Sequence, residues 1–317
     1  MPTPSFWRRT PPAVFPALFG ALGLGLAWRR AGGMVEFAGG VSELILGAAT
    51  LIYVGAALAY AVKFMLRPAV ILEDLKILPG RAGLAAMSLS TLLLAAVFVR
   101  YSDGLATLLL FFGLGLHAML AALVIWTLAT GPKEMRQITP AWHLAFVGFI
   151  VAPLSATPLG YGTISGAILG GTITIAALIY GVSLAQMLRQ PPPPPLRPLL
   201  AIHLAPFSLF GTAAAQLGLW QLAWIMACLA IFAAMALLIR ARWLTQAGFS
   251  PLWGAFTFPL AAFSGLMFVM GSQSIAFAII GALSLAGATI LIRYVVARVL
   301  QLWAKGTLAS TTNAAVA

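Results

Sequence analysis

Histidine is the residue type in this sequence whose chemistry and position could support proton transfer within an otherwise apolar chain. His143 and His203 lie near the starts of two long apolar segments, and His117 lies in the middle of a third. An imidazole titrates near pH 6.5, so these groups could respond to pH close to neutrality. Local packing, with the ring nitrogens hydrogen-bonded inside the fold, is the alternative interpretation for all three.

Other chemistry has few candidates in the apolar segments. We expect no Asp, Lys or Arg inside them, and Glu43 lies at the end of one. Intramembrane carboxylates usually mark proton relays, so this pattern argues against a carboxylate-based pump. No His–Glu zinc motif, phosphate loop or nucleophile triad is recognisable, so we expect no enzyme, no cofactor and no metal site. The single cysteine, Cys228, can form no intrachain disulfide and is expected to be a small buried side chain.

Composition indicates the environment of these segments. Of 317 residues, 62% are hydrophobic and 8% are charged, whereas soluble domains are about half apolar and a quarter charged. Membrane spans of about 20 apolar residues account for the excess. The net charge of +12 is typical of the basic loops of a membrane protein and does not indicate nucleic-acid binding.

The first apolar run follows Arg8 and Arg9, as a signal peptide would. It ends in Trp28-Arg29-Arg30 and not in a small-residue cleavage site. We therefore expect it to be the first membrane span.

The chain divides into ten apolar segments joined by short connections. The proline run at 191–195 is expected to be a stiff spacer, with partner binding as the alternative, and residues 306–317 are expected to form a disordered tail. The predicted spans are 12–28, 41–62, 82–99, 104–130, 141–159, 162–188, 199–218, 219–239, 250–270 and 273–292.

Lysine and arginine fall mainly on one side of this ten-span arrangement. Fifteen of the 18 lie in the two terminal segments or in connections that follow even-numbered spans, and only Arg29, Arg30 and Arg100 lie on the other side. Cytoplasmic loops carry the excess of basic residues. We therefore predict a multi-pass protein of the inner (cytoplasmic) membrane with both termini in the cytoplasm.

Prolines fall within the odd-numbered spans. Proline frees a backbone carbonyl, and in lipid this is tolerated only where protein or a water-filled cavity satisfies it. We therefore predict an inner ring of odd spans around a passage and an outer ring of even spans that face lipid. His143 and His203 would then lie at the inner mouth as pH modulators. The prolines are Pro16, Pro153, Pro158, Pro206 and Pro259, and the third span instead has Ser88, Ser90 and Thr91.

Three of these prolines recur at a fixed interval, which is 53 residues from Pro153 to Pro206 and again from Pro206 to Pro259. A fixed period indicates a repeated unit, here a two-helix hairpin. Five hairpins predict an all-α integral membrane protein whose ten transmembrane helices form a pseudo-five-fold barrel. The candidates for lining or kinking its passage are Pro16, Gly20, Ser88, Pro153, Pro206, Ser208, Thr257 and Pro259.

A glycine pattern on the sixth span predicts close helix packing. Gly162, Gly166 and Gly170 stand at four-residue spacing, which lets another helix approach closely. The partner is either a neighbouring helix of the same subunit or another subunit.

Four segments resemble the tellurite-resistance/dicarboxylate transporter (TDT) family, which includes bacterial TehA and the plant guard-cell slow-type anion channels. Together they sample nearly the whole chain. Family members usually have glycine at the position of Pro16 and proline at that of Leu18, so the kink in the first span is expected lower here. The segments are Phe15-Pro-Ala-Leu-Phe-Gly-Ala-Leu-Gly-Leu-Gly-Leu-Ala-Trp28, Thr139-Pro-Ala-Trp-His-Leu-Ala145, Leu204-Ala-Pro-Phe207 and Trp253-Gly-Ala-Phe-Thr-Phe-Pro-Leu-Ala-Ala-Phe-Ser264.

The resemblance implies a channel that passes small anions. In the family the odd helices line a central pore, a phenylalanine of the ninth helix occludes it, and three subunits assemble with one pore each. The match places the gating phenylalanine at Phe258, immediately before Pro259. Core packing is the alternative interpretation of Phe258.

Two other functions stay open. One is a proton-coupled carrier or exporter of C4-dicarboxylate, sulfite or a tellurium oxyanion, which would give tellurite tolerance; the other is a non-conducting membrane sensor or scaffold. Kinked inner helices favour transport over a scaffold, and the lack of intramembrane carboxylates favours passive conduction. The expected partners are small inorganic or organic anions, the lipid bilayer and two further copies in a homotrimer, with no nucleic acid. Anion preference rests on the resemblance, because no positive charge is expected in the pore-lining stretches.

The orientation is testable by cysteine labelling in a Cys228→Ala background. Single cysteines that replace Ser102 and Ser272 should react with an impermeant thiol reagent applied from outside, because the charge asymmetry places both positions outside. A cysteine that replaces Gln190 should react only after the membrane is permeabilised. Labelling of position 190 in intact cells would reverse the predicted orientation.

Overall fold

The computed structural model describes residues 6–317, which form helices joined by short connections and contain no strand. Within this part of the chain, nine helices are long and apolar enough to cross a membrane, and a shorter apolar segment stands fifth in order. All ten apolar segments expected from the sequence are thus present. They are span 1 (Pro12–Ala31), span 2 (Ala38–Leu66), span 3 (Leu78–Phe98), span 4 (Asp103–Thr130), span 5 (His143–Ala156), span 6 (Gly162–Arg189), span 7 (Pro194–Gln216), span 8 (Trp220–Ile239), span 9 (Pro251–Met270) and span 10 (Ile275–Ala304).

Burial separates the spans into two rings. In spans 1, 3, 7 and 9, between 72% and 94% of the residues in the most apolar window are buried, and most of span 5 is buried too. In the even-numbered spans the buried share is only 17–33%, although these spans are the more apolar ones. Apolar surface that faces outward on this scale is stable against lipid and not against water. The protein is therefore a multi-pass membrane protein with odd spans inside and even spans outside.

Helix contacts close the inner ring. Span 1 packs against spans 3 and 9, span 5 packs between spans 3 and 7, and span 7 packs against span 9. Each odd span also packs against the even span that follows it in the chain. Five consecutive hairpins therefore form one closed barrel, as the repeat predicted.

Four of the five inner spans contain 3₁₀ or π turns, whereas span 3 and the outer spans are continuous α-helices. Span 1 begins with a 3₁₀ turn at Pro12–Val14 before its α-helix Phe15–Ala31. Span 7 begins with a longer 3₁₀ segment, Pro194–His203. Span 5 passes through a π-helical turn (His143–Val147), a 3₁₀ turn and a single α-helical turn. Interruptions of this kind are tolerated at membrane depth only where other protein surrounds them, which is the position of the odd spans.

Span 3 also carries a proline, although none was expected there. Its helix begins at Leu78, four residues before the predicted start, so that Pro79 occupies the first turn. Pro is accepted in a first turn because its missing N–H has no helical partner there. All five inner spans therefore contain proline.

Two expectations are wrong, namely the disordered tail at residues 306–317 and the burial of Cys228. Residues Thr307–Thr311 form a short helix whose Leu308 is fully buried, and Ala317 N–H donates to the carbonyl of Arg8 at 3.1 Å. The C-terminal tail is therefore packed against the N-terminal segment. Both chain ends lie at the same end of the barrel, which we call the terminal end.

Cys228 is exposed on span 8 and not buried.

A buried ion pair lies at the terminal end, where no intramembrane charge was expected. Lys63, in the last turn of span 2, and Asp74 form a salt bridge of 2.9 Å with no exposure of either side chain. The hydroxyl of Tyr60 and the backbone N–H of Ala315 also donate to this carboxylate, at 2.9 and 2.8 Å. Lys63 in turn donates to the carbonyl of Thr10 at 3.2 Å. The ion pair thus joins span 2 to both ends of the chain, through Asp74 to Ala315 and through Lys63 to Thr10.

Removing one partner of this pair should destabilise the protein strongly. Asp74→Asn should lower the free energy of unfolding by about 3–5 kcal/mol, because the Lys63 charge stays buried without a partner. Denaturation in detergent, followed by circular dichroism, measures the change.

The neighbouring pair supplies a matched control. Glu73 pairs with Arg67 at the surface, with both side chains more than a third exposed, so Glu73→Gln should cost no more than about 1 kcal/mol. The double variant Lys63→Met, Asp74→Leu should recover most of the loss, because it removes both charges. Equal stability of Asp74→Asn and wild type would show that the buried pair does not hold this end together.

Candidate functional site

Two small cavities lie on the axis of the inner ring. The first, of about 50 Å³, is bordered by early residues of the odd spans, including Ala13, Pro79 and Pro251, so it lies towards the terminal end. The second, of about 30 Å³, is bordered by later residues such as Leu89 and Val151. Each has room for only a few water molecules. All five inner spans contribute to each cavity, so together they mark a narrow axial passage.

Two phenylalanine rings stand where the cavities meet. Phe19 of span 1 and Phe258 of span 9 border both cavities. Their rings are stacked, with centroids 3.8 Å apart and planes at 22°. Both side chains are almost fully buried, at 2% and 5% exposure. The closed stretch between the cavities is therefore an aromatic pair supported by three aliphatic side chains, which are Leu144, Ile202 and Ala205.

Glycines bring spans 1 and 9 close enough for this pair. A Cβ at Gly23 would lie 2.8 Å from Cδ2 of Phe258, so the ring occupies the space that a larger residue would fill. A Cβ at Gly20 would lie 2.1 Å from Oγ1 of Thr257, which makes any side chain there incompatible with the observed packing. Gly20 and Thr257 thus set the distance between the two helices and do not border either cavity.

The hydroxyl groups predicted to line the passage are used elsewhere. The Ser208 hydroxyl donates to the Leu204 carbonyl of its own helix at 2.9 Å. The Thr257 hydroxyl lies 2.9 Å from the Pro16 carbonyl, which belongs to span 1. Ser88 contacts the outer ring, with its Oγ 2.8 Å from Nδ1 of His117. None of these three residues borders either cavity, so the lining is almost wholly apolar.

The predicted prolines divide between lining and support. Pro16 and Pro259 border the first cavity, and Pro206 borders the second. Pro153 is buried but borders neither cavity. Its role is local, because it begins the single α-helical turn that ends span 5.

The two candidate histidines meet each other. Nε2 of His143 lies 3.1 Å from Nδ1 of His203, and Nε2 of His203 lies 3.1 Å from the Ser183 hydroxyl on span 6. His143 also borders the second cavity, and its Nδ1 has no hydrogen-bond partner within residues 6–317. The pair therefore connects the passage to the outer ring, and it lies deeper than a collar at the mouth would.

Two residues of this region were missed by the sequence analysis. Phe19 stands three residues after Pro16 and four before Gly23, but a phenylalanine in an apolar span has no distinguishing pattern. Arg30 was assigned to a loop because the first span was predicted to end at 28, whereas the helix continues to Ala31. The hydrophobic run ends at Trp28, but the last turn of the helix contains Arg29 and Arg30, so hydropathy alone placed the end of the helix too early.

An apolar axial passage inside two rings of helices defines a multi-pass helical membrane protein of the transport class. Residues 9–300 match the sequence pattern of the voltage-dependent anion channel family. The chain therefore belongs to this family, and the resemblance of its four segments to the TDT family is confirmed. Its members are anion channels or transporters. No curated protein matches the chain closely enough to report.

Proposed function

We propose that the protein is an anion channel whose central passage is closed by the ring of Phe258. The observation that carries the proposal is the stacked pair of Phe19 and Phe258 between two cavities that all five inner spans border. Small inorganic or organic anions are the proposed cargo, in keeping with the family.

The proposed gate acts by excluding water. An apolar constriction too narrow for water cannot pass a hydrated ion, because the ion would lose its hydration shell without compensation. Phe19 and Phe258 come from neighbouring helices and stack on each other where the two cavities meet, so displacement of either ring would widen the constriction. We therefore treat Phe19 as the second half of the gate.

The scarcity of ionisable side chains along the passage favours passive conduction over proton-coupled transport. Proton-coupled carriers normally place an ionisable group on the substrate pathway. Among the described residues, His143 is the one titratable side chain that borders either cavity, and it serves in this proposal as a pH modulator together with His203. The same histidine pair would be the coupling site if the protein were a carrier of C4-dicarboxylate, sulfite or a tellurium oxyanion.

The cellular setting is also part of the proposal. The excess of basic residues at the terminal end supports an inner-membrane location with both termini in the cytoplasm. The glycines of span 6 support a homotrimer with one passage per subunit. Gly166 and Gly170 are exposed, and a Cβ at either would meet nothing within 4 Å. No helix of the described chain therefore packs against these glycines, which leaves them free to contact another subunit.

Removal of the ring should open the passage. Phe258→Ala should raise anion conductance in planar bilayers well above the wild-type level, because the apolar constriction widens and admits water. The variant should stay folded and lose less free energy of unfolding than a phenylalanine packed on all sides, because the Phe258 ring borders a cavity on both sides. Phe19→Ala should open the passage in the same way.

Phe263→Ala is the matched control. Phe263 lies on the same span, is equally buried at 5% exposure and borders neither cavity. Its loss should cost about 3–5 kcal/mol, as for a core phenylalanine, with no gain in conductance. A Phe258→Ala protein that is destabilised as strongly as Phe263→Ala and conducts no more than wild type would remove Phe258 from the gate.

A further inference from the structure

The last turn of the span 1 helix presents three consecutive side chains to three different neighbours. Trp28 donates its indole N–H to the hydroxyl of Thr289 on span 10 at 3.0 Å. Arg29 forms a salt bridge of 3.0 Å with Glu43 on span 2. Spans 2 and 10 both belong to the outer ring. Successive helical side chains are about 100° apart, so these two anchors turn Arg30 towards the inner ring.

The Arg30 guanidinium lies against span 9. A Cβ at Gly265 would be 2.5 Å from Nη1 of Arg30, so this glycine leaves the space that the guanidinium takes. Arg30 follows Phe19 by eleven residues and Gly265 follows Phe258 by seven, which are close to three and two whole turns. Side chains at such spacings share one helix face. Arg30 therefore lies on the faces that carry the stacked rings, roughly 10–16 Å further towards the opposite end of the barrel.

In the described part of the chain, Arg30 has no counter-charge. Two other arginines at this end pair with Glu43, namely Arg29 and Arg100, at 3.0 and 3.7 Å. Within residues 6–317 no hydrogen bond or ion pair is made by the Arg30 side chain, although it is partly buried. The other two carboxylates at this end of the described chain, Glu36 and Asp103, are exposed and form no ion pair with it.

Tyr101 is a further hydrogen-bond partner of the Glu43 carboxylate. The phenol donates a hydrogen bond to the Glu43 carboxylate, and this bond raises the pKa of Tyr101. Arg29 donates to both oxygens of the same carboxylate, at 3.0 and 3.2 Å. Glu43 is thus occupied by Tyr101, Arg29 and Arg100, and the Arg30 charge stays unneutralised.

We propose that the Arg30 guanidinium binds a small inorganic anion at the opposite mouth of the passage and gives the passage its preference for anions. A guanidinium offers several N–H donors in a fixed plane and keeps its charge at any physiological pH. Partial burial strengthens its attraction for an anion relative to bulk water. The inference rests on the proposed function, and it supplies the positive charge that the apolar cavity lining lacks.

Bromide tests the binding site without any need for an open gate. Crystals of the wild-type protein grown in sodium bromide should show an anomalous peak within hydrogen-bond distance of the Arg30 guanidinium. Arg30→Gln should abolish the peak, and Arg100→Gln should leave it in place, because Arg100 is 64% exposed and already paired. Absence of bromide at Arg30 in the wild-type protein would overturn the proposal.

Ion selectivity tests whether the Arg30 charge gives the passage its preference for anions. In the Phe258→Ala background, the ratio of chloride to potassium permeability follows from the reversal potential in asymmetric KCl. Arg30→Gln should lower this ratio at least about tenfold, since a unit charge close to the ion path acts at reduced dielectric. Arg30→Lys should retain most of the preference, and Arg100→Gln should change the ratio less than twofold.

The outcomes separate the inference from the function on which it rests. An open channel that prefers anions equally with and without Arg30 would overturn the inference and leave the channel intact. Bromide at Arg30 with an unchanged permeability ratio would identify an adventitious ion only and would overturn it too. A Phe258→Ala protein that passes no anions would contradict the proposed function, and bromide would then decide the binding site alone. Gly265→Ala should displace the guanidinium and weaken the bromide peak, because its Cβ would take the same space.

Discussion

The need to satisfy every backbone hydrogen bond without help from lipid governs this structure. A helix that is interrupted at membrane depth exposes donors and acceptors, which in hydrocarbon would cost several kcal/mol each. Only the inner ring can hold such helices, because the outer ring separates it from lipid. The 3₁₀ and π turns of spans 1, 5 and 7 are therefore found inside, and the continuous helices of spans 2, 4, 6, 8 and 10 are found outside.

The same constraint shapes the passage. Hydroxyls of the inner helices bond to carbonyls of their own or adjacent helices, as Ser208 does to Leu204 and Thr257 does to Pro16. Few polar groups are then left for the axis, and the lining is apolar. An apolar passage of this width holds little water, so two phenylalanine rings suffice to close it. Charged groups lie near the two ends of the barrel, as the Lys63–Asp74 pair at one end and Arg29, Arg30 and Arg100 at the other.

The sequence predicted the architecture well because three patterns each carry separate information. Hydropathy identifies the spans, proline identifies the inner ring, and basic residues indicate the orientation. The sequence placed ten spans and separated inner from outer, and the family resemblance suggested Phe258 as the gate. It could not identify Phe19, because stacking depends on how two distant helices approach at Gly20 and Gly23. It also assigned Arg30 to a loop and residues 306–317 to a disordered tail, since partners such as Gly265 and Asp74 are far away in sequence. Ser88 was expected to line the passage, but the position of His117 turned it outward.

Passive passage of anions through a phenylalanine-gated channel is tested most directly in liposomes that contain the purified Phe258→Ala protein. A potassium diffusion potential set by valinomycin should drive chloride movement with no imposed pH gradient, and a trapped dye should show no stoichiometric change of internal pH. Wild-type protein should pass far less chloride under the same potential. Internal pH that follows the anion flux, and no longer does so in a His143→Ala, His203→Ala double variant, would contradict passive conduction and establish a proton-coupled carrier.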